Sequence, residues 1–591
     1  MPDGATARAV PAYADAVARF SIETAAAHLH GDLERGLNAC VECCDRHASA
    51  DAIALDWIDA GGQHRRFTFA QMRALSARVA NLLVAQGVKP GDVVAGLLPR
   101  TPELVATILG TWRAGAVYQP LFTAFGPKAI EHRLRMSDAR LVVTNVANRA
   151  KLDEIADCPP VATVRAPGES LSERDIDFRA ALDAQPDTFE PVLRKGTDLF
   201  MMMSTSGTTG LPKGVPVPLR ALLAFGAYMR DAVDLREGDR FWNIADPGWA
   251  YGLYYAITGP LLLGHATTLY EGGFTVDSTY DVIERLGITS LAGSPTAYRM
   301  LMAAGTEAAA RVKGKLRVVS SAGEPLNPEV VRWFDAALGA PIYDHYGQTE
   351  LGMVVNNHHG LAHVVHAGSA GLAMPGYRVA VLDEASRELG PGEPGNLAID
   401  IARSPLLWFH GYWQQDTPAI ADGYYRTGDN VELEPDGTVS FMGRADDVIT
   451  SSGYRIVPFD VESALIEHPA VSEAAVIGVP DPERITSSGY RIGPFDVESA
   501  LIEHPAVSEA AVIGVPDPER TEIVKAFVVL SKGFDGTSAL AEELSQHVKR
   551  RLSAHAYPRA IDFVDALPKT PSGKIQRFVL RKMEAEKAAQ P

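Results

Sequence analysis

Apolar runs such as DVVAGLLP (92–99), ARLVVTNV (139–146) and ITSLAGS (288–294) alternate with amphipathic stretches such as FTFAQMRALSARVANLLVAQG (67–87). Strands repeat with a period of two and helices with 3.6, and a chain that alternates them buries both faces by layering helices on parallel or mixed sheets. The expected fold class is therefore α/β. The 591 residues allow two to four folding units at roughly 100–200 residues each.

A second feature fixes the organisation of the C-terminal part. Residues 449–484 recur at 485–520 with one difference, Val457 against Gly493. Repeat architectures need about three or more units that bury one another, so two near-identical copies read as a recent tandem insertion. Both copies contain the helix-like PFDVESALIEH and the apolar EAAVIGV. The boundary is placed in the polar run before them. It gives a large N-terminal body at 1–443, a hinge at 444–446 and a small C-terminal domain at 447–591 containing the duplication.

Composition narrows the function. Hydrophobic residues at 46% and charged residues at 22% are ordinary globular values and exclude a disordered or fibrous chain. A formal charge of −18 repels phosphate backbones, so no nucleic acid is expected as partner. The N-terminus lacks an apolar signal core and no membrane span is expected, so the expected address is the cytoplasm. Four cysteines fit a reducing compartment. Cys40, Cys43, Cys44 and His47 have a metal-like spacing, but LNACVECCDRHA places apolar residues at helical intervals with no second ligand pair nearby, and a core stripe is the expectation.

The segment Thr205-Ser206-Gly207-Thr208-Thr209-Gly210-Leu211-Pro212-Lys213-Gly214 combines glycines, hydroxyls and a cation. Glycines let a backbone approach closely, free N–H groups and hydroxyls donate, and the lysine adds a point charge, which together make a phosphate cradle. It is not the GxxxxGK[ST] loop, because glycine follows the lysine. Further along stand Ser321-Ala322-Gly323-Glu324-Pro325, Tyr343-Asp344-His345-Tyr346-Gly347-Gln348-Thr349-Glu350, Tyr425-Arg426-Thr427-Gly428-Asp429, Gly443-Arg444-Ala445-Asp446-Asp447 and Pro571-Ser572-Gly573-Lys574.

In this order the motifs resemble the adenylate-forming superfamily over roughly residues 40–580, and most of all its AMP-forming medium-chain acyl-CoA synthetases, with acetyl-CoA synthetases next. The resemblance implies a large multi-sheet body with a small mobile C-terminal α/β domain. It implies two steps: a carboxylate attacks the α-phosphate of ATP to give acyl-AMP and pyrophosphate, and the CoA thiol then displaces AMP. ATP, CoA and Mg2+ are the implied cofactors, and a small carboxylic acid the substrate. A homo-oligomer is compatible with this picture.

The resemblance also distributes roles. Thr205, Ser206, Gly207, Thr208, Thr209, Gly210 and Lys213 would hold the β- and γ-phosphates, and Glu350 the metal, a hard cation preferring carboxylate oxygen. Gly323, Glu324, Pro325 and Asp344, His345, Tyr346, Gly347, Gln348 and Thr349 match the adenine and AMP segments. Asp429 would accept the ribose hydroxyls, with Arg444 beside it. Lys574 would offset charge building on the α-phosphoryl oxygens during the first step.

For the second step Asp446 matches the hinge, Ser452, Gly453 and Tyr454 the pantetheine tunnel, and Arg455 the AMP phosphate. Arg520, Lys549 and Tyr557 match CoA contacts. The duplication leaves two candidates for the tunnel segment: copy one stands at the family's distance from Asp446, whereas the family's glycine is Val457 in copy one and Gly493 in copy two. Trp249 and Tyr251 match the acyl-pocket wall, and Gly347 stands where acetyl-CoA synthetases carry tryptophan, which reads as room for a longer acid. Two rival readings remain. A carrier-loading adenylation enzyme is disfavoured because no carrier domain follows Lys574, and an inactive nucleotide-binding regulator because Lys213, Glu350, Asp429, Arg444 and Lys574 are all present.

Overall fold

The computed structural model describes residues 10–49, 51–205, 212–444, 449–451, 454–456, 461, 465, 471–479, 506–517, 521–530, 534–551, 558, 560–568 and 576–588. The chain divides into two compact units, Met1–Arg378 with Asp400–Tyr424, and Val379–Ile399 with Tyr425–Pro591. This division draws residues 379–399 and 425–443 away from the large body, earlier than the expected 444–446 boundary. The hinge residue Asp446 lies outside the described residues.

The first unit holds two sheets. One is seven-stranded, in the order Ile176–Asp177, Val161–Val164, Leu141–Asn145, Val93–Leu97, Val117–Pro120, Leu199–Ser204, Gly214–Pro218. It is parallel until the last pair, which forms an antiparallel hairpin. Val93–Leu97 is buried along its whole length, as a central parallel strand covered on both faces must be. The second sheet runs through Ser369–Ala373, Gly352–Asn356, Ile342–Gln348, Val318–Ala322, Ser290–Gly293, Phe241–Asn243, Thr267–Glu271, Ile53–Asp59 and His64–Thr68. From Ile342–Gln348 to Ile53–Asp59 it is parallel, with antiparallel strands at its ends. Helices cover it where sequence signals place them: Thr68 and Gln71 form a capping box at the start of Phe69–Ala85, and Ser294 caps Pro295–Ala303. Two π-helical turns, Tyr228–Ala232 and Leu253–Thr258, interrupt this helical layer, a distortion frequent beside functional sites.

The cysteine cluster is core. Cys40 Sγ lies 3.6 Å from Ser76 Oγ, Cys43 Sγ 3.9 Å from the Thr258 carbonyl and Cys44 Sγ 3.5 Å from the Phe69 carbonyl, while the His47 ring packs on Phe69. Each thiol thus has a different neighbour, and among the described residues no three potential ligands converge on a metal position. No helix among them is long and apolar enough to cross a membrane.

The second unit begins with an antiparallel set, Val379–Leu382, Gly395–Asp400, Tyr424–Leu433 and Val439–Arg444. Along Tyr424–Leu433 the residues Tyr425, Thr427, Asp429 and Val431 face inward, the period of two expected of a half-buried strand. The short strands Ile449–Ser451 and Tyr454–Ile456 pair with each other. The duplicated stretches supply Val471–Val479 and Val507–Asp517, and both register on Thr521–Leu530: Ala475 and Ala511 stand opposite Phe527, and Ile477 and Ile513 opposite Lys525. The equivalent residues of the two copies also face each other in parallel, Val476 against Val512. A strand has two edges, and Thr521–Leu530 gives one of them to Ala560–Phe563. The two copies therefore address a single remaining edge, whose N–H and C=O groups can be bonded once.

Candidate active site

The phosphate-loop hairpin is closed at its base by its own ends. Thr205 N–H donates to the Lys213 carbonyl at 3.0 Å, and Lys213 N–H to Thr205 Oγ1 at 3.1 Å. Ser206, Gly207, Thr208, Thr209 and Gly210, between them, lie outside the described residues. The Lys213 ammonium sits 4.6 Å from the centre of the Tyr412 ring, a cation–π contact. Tyr412 is held in turn, because the next residue, Trp413, donates its N–H to the Gly214 carbonyl at 2.8 Å. The Tyr412 hydroxyl donates to Glu350 Oε1 at 2.7 Å, and Glu350 is only 7% exposed. One tyrosine thus links the cation of the phosphate loop to the carboxylate expected to hold the metal.

Glu350 follows the strand Ile342–Gln348, whose residues are pinned from the helical layer. His345 is buried; its Nε2 lies 3.0 Å from the Asn357 carbonyl and its Nδ1 2.8 Å from the Tyr228 hydroxyl. Desolvation pushes its pKa down to about 3, so the imidazole is neutral. Tyr254 donates its hydroxyl to the Thr349 carbonyl at 3.0 Å, and the Tyr255 hydroxyl accepts the Met353 N–H at 3.0 Å. Tyr228, Tyr254 and Tyr255 all belong to the π-helical turns, so these distortions carry three hydroxyls to the hairpin of Ile342–Gln348 and Gly352–Asn356, at His345, Thr349 and Met353. Tyr346, Gln348 and Thr349 are partly exposed along it.

Asp344 Oδ2 accepts the Leu326 N–H at 3.1 Å, while Oδ1 is buried with no partner among the described residues. Burial holds its carboxyl well above the usual carboxylate range. An unsatisfied buried oxygen costs about 1–3 kcal/mol, which a ligand donor would recover. The adjacent turn is set by Gly323, whose φ of +101° is the left-handed region where only glycine is unstrained. Glu324 is already occupied: it accepts Thr296 Oγ1 at 3.0 and 2.9 Å and Arg299 Nη2 at 2.9 Å. Its carboxylate anchors the turn with Pro325, so a nucleotide would meet the backbone here.

Trp249 and Tyr251 follow the strand Phe241–Asn243, at the C-terminal edge of parallel strands where such folds bind ligands. Trp249 packs at 5.4 Å from Phe125 and 5.7 Å from Phe122. Tyr251 is partly exposed, with its hydroxyl 3.5 Å from that of Tyr228. Gly347 requires a correction. A Cβ there would run into the Gly352 carbonyl, so the position leaves no simple gap for an acyl chain; the bulge between Tyr346 and Gly347 brings the neighbouring backbone against it. A tryptophan could enter only if this hairpin moved.

In the second unit Asp429 is 4% exposed, with its backbone N–H donated to Thr427 Oγ1 at 3.1 Å, and it stands opposite Arg444 across the strand pair. Tyr454 and Arg455 lie on a short strand, and Lys549 on the helix Ser538–Arg551. Ser452, Gly453, Arg520, Tyr557 and Lys574 lie outside the described residues. Sequence reasoning missed Tyr412, Tyr228, Tyr254, Tyr255, Thr296 and Arg299, which carry no spacing signal and reach the strand edge or the Gly323–Pro325 turn through partners 25 to 117 residues distant.

The AMP-binding enzyme family matches residues 42–413, and the AMP-binding enzyme C-terminal domain matches 460–487 and 496–574, on both sides of the join between the copies. The acetyl-coenzyme A synthetase of Bacillus subtilis is 37% identical over 93% of this chain and 91% of its own. The mitochondrial acyl-coenzyme A synthetase ACSM4 of Rattus norvegicus is 34% identical over 90% and 86%. Among solved structures, an acyl-CoA synthetase of Brucella canis shares 68% identity over 98% of this chain and 100% of its own, with a TM-score of 0.76. An anthranilate CoA ligase, AuaEII, solved with anthranoyl-AMP, reaches a TM-score of 0.80 at 26% identity over 95% and 99%. The hairpin, the buried carboxylates and these likenesses agree, and the chain belongs to the AMP-binding, adenylate-forming enzymes as an AMP-forming acyl-CoA synthetase, an acid–thiol ligase that proceeds through acyl-AMP.

Proposed function

We propose that this enzyme activates short- to medium-chain carboxylic acids, including branched or aromatic ones, with the motif residues in the roles their family positions imply. The observation that carries the reading is the connected set Thr205–Lys213–Tyr412–Glu350. It places a phosphate-loop cation and a buried oxygen donor on one tyrosine. Lys213 and the loop from Thr205 hold the terminal phosphates. Glu350, with an oxygen donor set suited to a hard cation, would hold Mg2+, which when bound neutralises phosphate charge. Asp344 offers its unfilled Oδ1 to the base, and the Gly323–Pro325 turn offers backbone. Asp429 and Arg444 take the ribose.

Lys574 offsets the charge of the carboxylate–phosphate encounter in the first step. In the second, the small domain turns about Asp446, and Ser452, Gly453, Tyr454, Arg455, Arg520, Lys549 and Tyr557 serve CoA. The large body at 1–443 and the hinge at 444–446 are kept as the moving parts of this cycle. Acid, ATP and CoA are the partners, and the four free cysteines suit a cytoplasmic enzyme. The test is acid-dependent pyrophosphate–ATP exchange with C2 to C8 and aromatic acids, followed by CoA-dependent release of AMP. Exchange without thioester formation on CoA would point to a carrier-loading enzyme, and no exchange with any acid would overturn the reading.

A further inference from the structure

Hydrogen-bond polarity at the acyl wall narrows the substrate further, granted the reading above. The Asn357 carbonyl can only accept, so His345 Nε2 carries the proton that bonds it at 3.0 Å. The neutral imidazole then offers Nδ1 as an acceptor, and the Tyr228 hydroxyl, 2.8 Å away, must donate to it. With its proton committed, the Tyr228 oxygen can only accept from the Tyr251 hydroxyl, 3.5 Å away. The polarity is transmitted through four groups, and it ends at Tyr251. Among the described residues no group donates to the lone pairs of that oxygen.

Three further observations place this hydroxyl at a ligand position. Tyr251 is partly exposed, whereas Tyr228, Tyr254 and Tyr255 are fully buried. It follows the C-terminal end of Phe241–Asn243 in the parallel sheet, the edge at which such folds bind ligands. Two residues before it, Trp249 closes an aromatic wall with Phe122 and Phe125. An apolar acid seated against Tyr251 would leave this hydroxyl's acceptor side without a donor, which is costly once water is displaced, whereas a donor on the acyl chain would fill it.

We infer that Tyr251 selects carboxylic acids carrying a hydroxyl group on the acyl chain, the substrate hydroxyl donating to the Tyr251 oxygen while Tyr251 itself donates to Tyr228. An oxo group, which only accepts, meets the wrong polarity.

The experiment compares butyrate, 3- and 4-hydroxybutyrate and the corresponding oxo acids in pyrophosphate–ATP exchange, for the wild type, Tyr251→Phe and Tyr228→Phe. The wild type should favour at least one hydroxy acid over butyrate and over its oxo counterpart by about 10-fold in kcat/KM, the scale of one hydrogen bond left unmade. Tyr251→Phe should lower the hydroxy-to-butyrate ratio by about 10-fold. Tyr228→Phe removes the acceptor that fixes the Tyr251 proton, and should raise the oxo-to-hydroxy ratio. Butyrate preferred by the wild type, or ratios unmoved by both variants, would overturn the inference while leaving the acyl-CoA synthetase reading standing. Failure of every acid would instead remove that reading. Circular dichroism and exchange with butyrate report whether each variant is folded, and ratios within one variant do not depend on how much of it is active.

Discussion

The strand edge of the first unit that carries His345 and Glu350 and the duplicated stretch of the second are built on opposite terms. In the first, polar groups of different chemistry pair specifically: Lys213 closes on Thr205, Tyr412 on Glu350, and His345 stands between Tyr228 and Asn357. In the second, two stretches that differ only at Val457 and Gly493 are registered on the same residues of Thr521–Leu530. Chemically distinct groups specify one arrangement, whereas near-identical sequences cannot tell their places apart. The first region should therefore respond to single atoms or protons, and the second should tolerate the loss of a whole copy.

Acid should produce the largest effect on the first region. Burial holds His345, His358 and His359 down to about 3 each, against an ordinary 6.5. At these three sites the unfolded chain therefore binds more protons than the folded one below pH 6.5. The stability that these neutral histidines confer is complete above that pH and is lost progressively as pH falls toward 3. At pH 5 the loss is about 2 kcal/mol per histidine. Burial also raises Asp231 and Glu271 to about 6 and holds Asp344 well above the carboxylate range, and these groups release protons on unfolding, so calorimetry at pH 5 should show a net uptake below the three protons of the histidines, and a net release would contradict their burial.

Lys574 comes next in size. Lys574→Ala should lower acyl-AMP formation about 100-fold or more, about 3 kcal/mol, and leave thioester formation from supplied acyl-AMP intact. Lys574→Gln should behave the same way. Equal loss in both half-reactions would contradict a role confined to adenylation. A smaller effect belongs to Tyr412→Phe, which keeps the ring under Lys213 and removes the hydroxyl that donates to Glu350. A hydrogen bond to a charged group contributes about 1.5–3 kcal/mol. The exchange rate should drop about 10- to 100-fold with a raised Mg2+ requirement, and an unchanged Mg2+ dependence would show that the tyrosine does not tune the carboxylate.

The smallest effect is expected where the sequence change is largest. Deleting residues 449–484 joins GRADDV to ITSSGYRIGPF and leaves one copy for one edge. Thioester formation should be equal or faster and stability should change by no more than about 1–2 kcal/mol, the scale of a loop-length change. An inactive or unfolded product would show that both copies are structural and would break the comparison at its second term.

The α/β layers, the duplication and the chemical motifs were legible in the sequence because they rest on short-range information: periods of 2 and 3.6, a repeated string, and glycines, hydroxyls and cations at fixed spacing. That information singled out Glu350 and Lys213 as candidates but not the tyrosine between them. Tyr412 lies 62 residues from Glu350 and reaches it only because the strand Gly214–Pro218 ties Trp413 at its start. Gly347 shows the same limit, for as a letter it reads as empty space, while in the fold the Gly352 carbonyl fills the direction a side chain would take. Nor could the sequence say which way the Tyr251 proton points, because that follows from a carbonyl, an imidazole and a phenol brought together from residues 357, 345 and 228. Local patterns encode which groups are present. Direction, occupancy and polarity arise from distant parts of the chain converging, and only the tertiary structure decides them.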